Sequence, residues 1–276
     1  MASYADARHH GGAWLVRIED VDVPRARPQA ADAILMALEA YGFDWDDDVW
    51  RQSTRTSAYC AALAKLVADG AVYACACTRR ELADQRVSAI GERVYAGTCR
   101  NGTGDHGRSR AAMRVRVPAE PIAFVDRVFG AQQQRLDVDV GDFIVRRSDG
   151  LFAYQLAVVV DDGAQRITDV VRGADLLAST PRQILLQRLL GLPTPRYLHV
   201  PVAVDAKGRK LSKQTHAVAL PPAPLPALLA AWRFLGQAAC PERVASVREF
   251  WSWASANWCV SAIPSTSTRS VEAPIV

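Results

Sequence analysis

Short apolar stretches alternate with helix-length segments along most of this chain, and that strand, turn, helix order constrains its fold more than any other feature. Ala13 to Ile18 is apolar enough for a buried strand and runs into the acidic turn Glu19-Asp20-Val21-Asp22. A helix is predicted from about Pro28 to Tyr41: proline suits its first turn, Ile34, Leu35, Leu38 and Tyr41 form one face, and Gly42 ends it. Val49 to Gln52 then reads as extended, Thr56 to Asp69 as a helix closed by Gly70, and Ala71 to Cys75 as extended again, the alternation of a parallel α/β sheet. Ahead of these, Ala2 to His10 reads as the end of a helix stopped by Gly11-Gly12.

From Cys75 to about Gly141 the character changes. Three cysteines, a Gly-rich stretch from Gly97 to Gly107 and the short strands Ala112 to Val117 and Ile122 to Val128 predict an insertion with a small sheet of its own. The α/β pattern then resumes: a strand at Phe143 to Arg147, a turn at Asp149-Gly150, a buried segment from Phe152 to Val160 and a strand at Arg166 to Val171. A helix follows from Thr180-Pro181 to Leu190 with Thr180 as its cap, then a strand from Tyr197 to Val204. Helices near Leu225 to Leu235 and Pro241 to Ala256 close the chain, and the tail from Ser261 is expected to fray.

With 276 residues, half of them apolar and 22% charged, the chain has material for a large buried core and is no disordered polymer. Apolar runs such as Leu156 to Val160 fall far short of the ~20 residues that cross a bilayer, and the N-terminus carries no signal pattern, so the expectation is a cytoplasmic protein without a membrane partner. A net charge of +4 permits a polyanionic partner without requiring one. Six cysteines are too few and too uneven for a disulfide framework, which leaves metal binding or burial. Cys60, Cys240 and Cys259, each alone in apolar helix-like surroundings, are expected to be small buried hydrophobes.

Four constellations can carry chemistry. Cys75, Cys77 and Cys99 offer three soft ligands for a tetrahedral ion such as zinc; His106 is the usual kind of fourth ligand, and Tyr95 is an available oxygen donor. Of only four lysines, Lys207, Lys210 and Lys213 fall within one loop with Arg209 and Ser212, where flexible ammonium groups suit the growing charge of a polyphosphate. Arg172 follows a predicted strand, at the sheet end where open α/β folds place ligands, and suits a carboxylate; a surface ion pair with a nearby Asp is the plainer alternative. Arg17 and Glu19 end the Ala13 strand in the same kind of position.

Together these residues resemble the class I glutamyl-tRNA synthetase catalytic-domain family, most closely its short glutamyl-queuosine tRNA(Asp) synthetase branch. The strings that carry the resemblance are Trp14-Leu-Val-Arg-Ile-Glu-Asp-Val-Asp22, Cys75-Ala-Cys77 with Tyr95 and Cys99, Asp142-Phe-Ile-Val-Arg-Arg-Ser-Asp-Gly-Leu-Phe-Ala-Tyr154, Val170-Val-Arg-Gly-Ala-Asp175 and Lys210-Leu-Ser-Lys-Gln214. They occur in order over almost the whole chain, and the length favours the short branch. The resemblance implies activation of glutamate by ATP, a substrate here, to glutamyl-adenylate, followed by transfer to the queuosine base of tRNA(Asp). It implies that Glu19 holds the substrate amino group, Arg172 its side-chain carboxylate and that Tyr154 lines the pocket. Lys213 is implied as the mobile signature lysine, acting with Lys210 and Ser212 on the ATP phosphates. Cys75, Cys77, Tyr95 and Cys99 are implied as ligands of one structural zinc ion. Gln155 stands where the family usually has Asn.

Family members begin with a strand bearing an Arg-Phe-Ala-Pro-Ser-Pro-type segment and a His-x-Gly-His-like signature, whereas this sequence starts at Ala2 inside the helix that follows. The expected fold is therefore an α/β, Rossmann-like parallel sheet without its first strand, with a gene start that lies upstream of Met1. The 276 residues alone are expected to fold poorly, with two ladder edges unpaired. The expected organisation is a first catalytic part over 1–74, a zinc-containing insertion over 75–141, a second catalytic part with the lysine loop over 142–214 and a helical segment over 215–276, in a monomer. Two alternatives stay open: a fragment of an ordinary glutamyl-tRNA synthetase, which charges the tRNA 3′ end, and an inactive zinc-containing tRNA-binding remnant.

Overall fold

A computed structural model of the chain describes residues 1–22, 28–89, 91–102, 111–211 and 220–271. Its first half runs α1 (Ala2–His9), β1 (Arg17–Ile18), α2 (Pro28–Ala40), β2 (Trp50–Arg51), α3 (Thr56–Ala68), β3 (Val72–Cys75), α4 (Arg79–Ala83), β4 (Ala112–Val115), β5 (Ile122–Asp126) and β6 (Gly130–Gln134). Then follow α5 (Leu136–Asp139), β7 (Ile144–Arg146), α6 (Tyr154–Ala164), β8 (Asp169–Gly173), α7 (Thr180–Leu190), β9 (Arg196–Val200), β10 (Val202–Val204), α8 (Pro224–Phe234), α9 (Val247–Asn257) and β11 (Thr268–Ser270). Helix stops fall where the glycines are: Gly42, Gly70 and Gly191 all have φ near +70°, the conformation that a side chain with a Cβ resists.

The main sheet has the order β6-β5-β9-β8, with β5, β9 and β8 parallel and β6 antiparallel to β5. A second sheet, β3-β4-β7, is antiparallel throughout. β1 and β2 pair in parallel, as do β10 and β11. Here the structure corrects three expectations. Ala71 to Cys75 does not extend a parallel sheet, since β3 lies antiparallel to β4 in the register Val72↔Val115. Among the described residues the segment after Cys75 forms no separate sheet: β4 joins β3 and β7, while the β5–β6 pair joins the parallel strand β9 through β5. The tail past Ser261 does not fray within the described residues, because β11 pairs with β10. Period-two patterning tells which face a strand buries and not which strand it pairs with, so all three errors concern partners.

The larger core packs α3, α6 and α7 against β4, β5 and β7 through Tyr59, Leu66, Val115, Ile122, Leu156 and Leu186. Its one buried carboxylate on α6, Asp161, accepts from Arg55 Nε at 2.6 Å, Tyr59 Oη at 2.7 Å and Gln52 Nε2 at 3.0 Å, which fixes α3 to α6. A second core is aromatic: Tyr4, Phe43, Trp232, Phe250, Trp251 and Trp258 join α1 to α8 and α9. Asp6 locks it, receiving both Arg127 nitrogens at 2.6 and 2.9 Å and Trp258 Nε1 at 2.9 Å. Helix α2 buries Ala31 and the following Tyr41, while Ile34, expected on that face, is 47% exposed. Cys60 and Cys259 are exposed and Cys240 is partly covered, against the expectation of burial. Small apolar neighbours on an alanine-rich helix do not tell its inner side from its outer one.

Candidate active site

β1 and β8 both end at one cavity of about 710 Å³, whose walls also include α6. Arg17, Glu19, Tyr154, Asp162 and Arg172 all line it, so the three residues implied to hold an amino acid, Glu19, Tyr154 and Arg172, share one space. The shared location follows from topology. Arg172 is the fourth residue of β8, Glu19 follows directly on β1, and Tyr154 opens α6, so strand ends and a helix start meet where open α/β sheets bind ligands.

Arg172 does not form the plain surface ion pair. Its Nε donates to His199 Nε2 at 3.1 Å, and its Nη2 donates to Thr180 Oγ1 at 2.9 Å and to the Leu176 carbonyl at 3.4 Å. All are neutral groups, and among the described residues no carboxylate lies within ion-pair distance of this guanidinium. Thr180 is consequently not a helix cap. Ser179 holds the position before α7, and the Thr180 hydroxyl serves Arg172 and donates to Leu176 O.

Two carboxylates, Glu19 and Asp162, line the same cavity. Arg17 Nη2 lies 2.7 Å from Asp162 Oδ1 and 3.5 Å from Glu19 Oε1, and Nη1 donates to Gln165 Oε1 at 2.7 Å. Although 40% of the Glu19 side chain remains accessible from the cavity, the surrounding protein pushes its carboxyl above the usual carboxylate range, with Arg17 pulling against that shift. Burial raises Asp162 in the same way, and Arg17 again opposes it. Tyr154 is raised by burial and then by the Glu19 charge. The cavity thus holds two carboxylates that share Arg17 and a second guanidinium, Arg172, with no carboxylate at ion-pair distance among the described residues, charges of both signs that a zwitterionic ligand can complement. Asp162 and His199 escaped the sequence reading. Asp161-Asp162 directly after the run Leu156 to Val160 was a signal, since carboxylates on a buried helix need partners.

The lysine loop begins as a tight turn. Asp205 Oδ1 accepts from Lys207 N and Arg209 N at 2.9 Å, its Oδ2 accepts from Arg209 Nε at 2.8 Å, and Val204 bridges Lys210. Lys210 Nζ contacts Asp175 Oδ2 at 2.5 Å, which fixes the base of the loop three residues beyond Arg172. Lys210 is not among the residues that line the cavity. Ser212, Lys213 and Gln214 lie outside the described residues, as does His106.

The thiols Cys75, Cys77 and Cys99 come together with their sulfur atoms within 4.8 Å of one another. Tyr95 Oη sits 3.4 Å from Cys75 Sγ and 3.5 Å from Cys77 Sγ, and Cys77 and Cys99 sulfurs are 3.5 Å apart. Zn–S bonds of ~2.3 Å in a tetrahedron put sulfurs ~3.8 Å apart, so this donor set fits zinc with small adjustments. The buried Arg114 guanidinium lies 3.9 Å from the centre of the Tyr95 ring, a positive charge suited to an anionic cluster.

The sequence matches the profile of the class I tRNA synthetases (E and Q), catalytic domain, over residues 1–221, and the chain belongs to that family of ligases. Curated relatives named glutamyl-Q tRNA(Asp) synthetase include one from Aromatoleum aromaticum, 54% identical over 96% of this chain and 84% of its own length. Others from Burkholderia mallei and Thiobacillus denitrificans are 57% and 53% identical, over 94% and 99% of this chain and 89% and 91% of their own lengths. Among solved structures, a glutamate-tRNA synthetase from Elizabethkingia anophelis superposes with a TM-score of 0.77 at 20% identity over 99% of this chain, which shows the shared fold. The chain spans 64% of that solved chain.

Proposed function

We propose that this protein activates glutamate with ATP and transfers it to the queuosine base of tRNA(Asp). The observation that carries the reading is Arg172: a guanidinium held by His199 and Thr180 at a cavity that Glu19 also lines. A side-chain carboxylate gives Arg172 a direct ion pair that no described residue provides, and Glu19 receives the α-ammonium, with Tyr154 lining the same cavity. An oxygen of the free α-carboxylate then attacks the α-phosphorus of ATP, and pyrophosphate leaves. In the second step a hydroxyl of the modified base attacks the acyl carbon, its proton is lost, and AMP leaves. Lys213, Lys210 and Ser212 are assigned to the ATP phosphates, on which positive charge is needed as pyrophosphate departs. The names of the relatives support queuosine as the acceptor. An acylation assay on tRNA(Asp) with and without queuosine tests it: glutamate should attach only to the modified tRNA by a bond to the anticodon loop. Charging of the 3′ end instead would favour an ordinary glutamyl-tRNA synthetase.

Glutamate affinity should fall on the acid side. Glu19 holds an ammonium only when ionised, and its carboxyl is raised by burial, so protonation begins at a higher pH than for a free carboxylate. KM for glutamate measured against pH should rise below that point, and Glu19→Gln should raise KM at neutral pH and remove this part of the acid limb. An acid limb unchanged in Glu19→Gln would assign it to the substrate and overturn the Glu19 role.

Zinc held by Cys75, Cys77, Cys99 and Tyr95 would be structural, tying the end of β3 to the loop before β4. Gly141 fixes Tyr95 there: it has φ +71°, bridges Tyr95, and a Cβ on it would meet Tyr95 N at 2.5 Å and Tyr95 O at 2.6 Å. Gly141→Ala should therefore displace Tyr95 and weaken zinc binding by ~10-fold or more, measured by competition with a chromophoric chelator. Unchanged affinity would exclude Tyr95 as a ligand.

A further inference from the structure

The geometry points to His199 and Asp126 as positioning residues that aim Arg172 at the substrate carboxylate, an inference that rests on the reading of Arg172 given above. Neither side chain reaches solvent; both are 0% exposed. His199 Nδ1 lies 2.7 Å from Asp126 Oδ2, and His199 Nε2 lies 3.1 Å from Arg172 Nε. A guanidinium Nε can only donate, so Nε2 must accept, and the imidazole is neutral with its proton on Nδ1, donated to Asp126. Asp126 is itself held in place: its Oδ1 accepts from Val128 N at 3.0 Å and Phe129 N at 2.9 Å in the turn between β5 and β6. The Tyr197 ring stacks on His199 at 6.2 Å and lies 5.5 Å from the Arg172 guanidinium, which restrains its plane.

The chain of contacts therefore runs from the β5–β6 turn through Asp126 and His199 to the Nε edge of Arg172, with Thr180 holding Nη2. Among the described residues Nη1 has no partner in the protein, and it is left to the ligand. Pre-setting a flexible arginine in this way removes ordering entropy that binding would otherwise cost. The parallel pairing of β5 with β9, in the register Asp126↔Tyr197, is what brings the Asp126 carboxylate to His199.

The test is a double-mutant cycle with glutamate-dependent pyrophosphate exchange, comparing wild type, His199→Gln, Arg172→Ala and the double variant. His199→Gln should raise KM for glutamate roughly tenfold and leave KM for ATP unchanged, since a misaimed donor weakens one ligand only. In the Arg172→Ala background the same change should have no further effect. An unaltered KM in His199→Gln, or losses that multiply in the double variant, would overturn the positioning role. An Arg172→Ala enzyme with normal KM for glutamate would instead overturn the reading of Arg172 itself. If His199→Gln fails to fold, ¹⁵N NMR of the wild-type protein decides: a neutral Nδ1-protonated His199 is expected, and an Nε2-protonated ring or an imidazolium would overturn the proposal.

Discussion

Arg172→Ala is expected to lower kcat/KM for glutamate by roughly 10²- to 10³-fold, the loss that follows from truncating one partner of a desolvated charge pair. Nearly all of it should appear in KM for glutamate, with KM for ATP little changed, because the proposed role of Arg172 is toward the amino acid in the cavity that it lines with Glu19. Arg172→Lys should recover little. A lysine cannot keep the Nε contact to His199 and the Nη2 contact to Thr180 while offering a third donor to the ligand. Glutamate-dependent pyrophosphate exchange at varied glutamate and ATP checks this, and the melting temperature of each variant separates a lost ligand contact from a lost fold. A variant that folds like wild type and retains normal glutamate kinetics would remove Arg172 from the site.

Cys99→Ser is expected to abolish stoichiometric zinc and to open the segment between β3 and β4 to proteases. Binding to structural zinc sites is worth ~10–16 kcal/mol at neutral pH, comparable with the whole ~5–15 kcal/mol stability of a typical domain. The apolar material around the thiols is slight, consisting of Tyr73, Tyr95 and partly buried Leu82 besides the cysteines themselves, so the ion would supply most of the local order. Metal analysis of purified wild type should give one zinc per chain, and limited proteolysis of Cys99→Ser should cut first within residues 76–111. A wild-type protein that folds with far less than one metal per chain would leave three thiols and no metal site.

Much of this was legible in the sequence, for identifiable reasons. Arg172 and Glu19 were readable as residues at strand ends, which converge in such folds, whereas Tyr154 was named only through the family resemblance; all three line one cavity. Cys75, Cys77 and Cys99 were readable by ligand type and spacing, while Tyr95 was chosen over His106 by the resemblance, and the structure brings these four together. What stayed hidden required knowing which strands are neighbours. Asp126 and His199 are 73 residues apart and meet only because β5 lies beside β9. Thr180 looked like a cap because a threonine before Pro181 usually is one, and only the fold shows Arg172 reaching it from β8. The same limit made β3 look like part of a parallel sheet when β4 returns alongside it antiparallel.

The most direct measurement is a structure of the protein with glutamate bound. The account predicts the side-chain carboxylate at hydrogen-bond distance from Arg172 Nη1 and the α-ammonium against Glu19, with the bonds from Arg172 to His199 and Thr180 kept. Glutamate seated elsewhere, or bound here with its side-chain carboxylate turned away from Arg172, would contradict it.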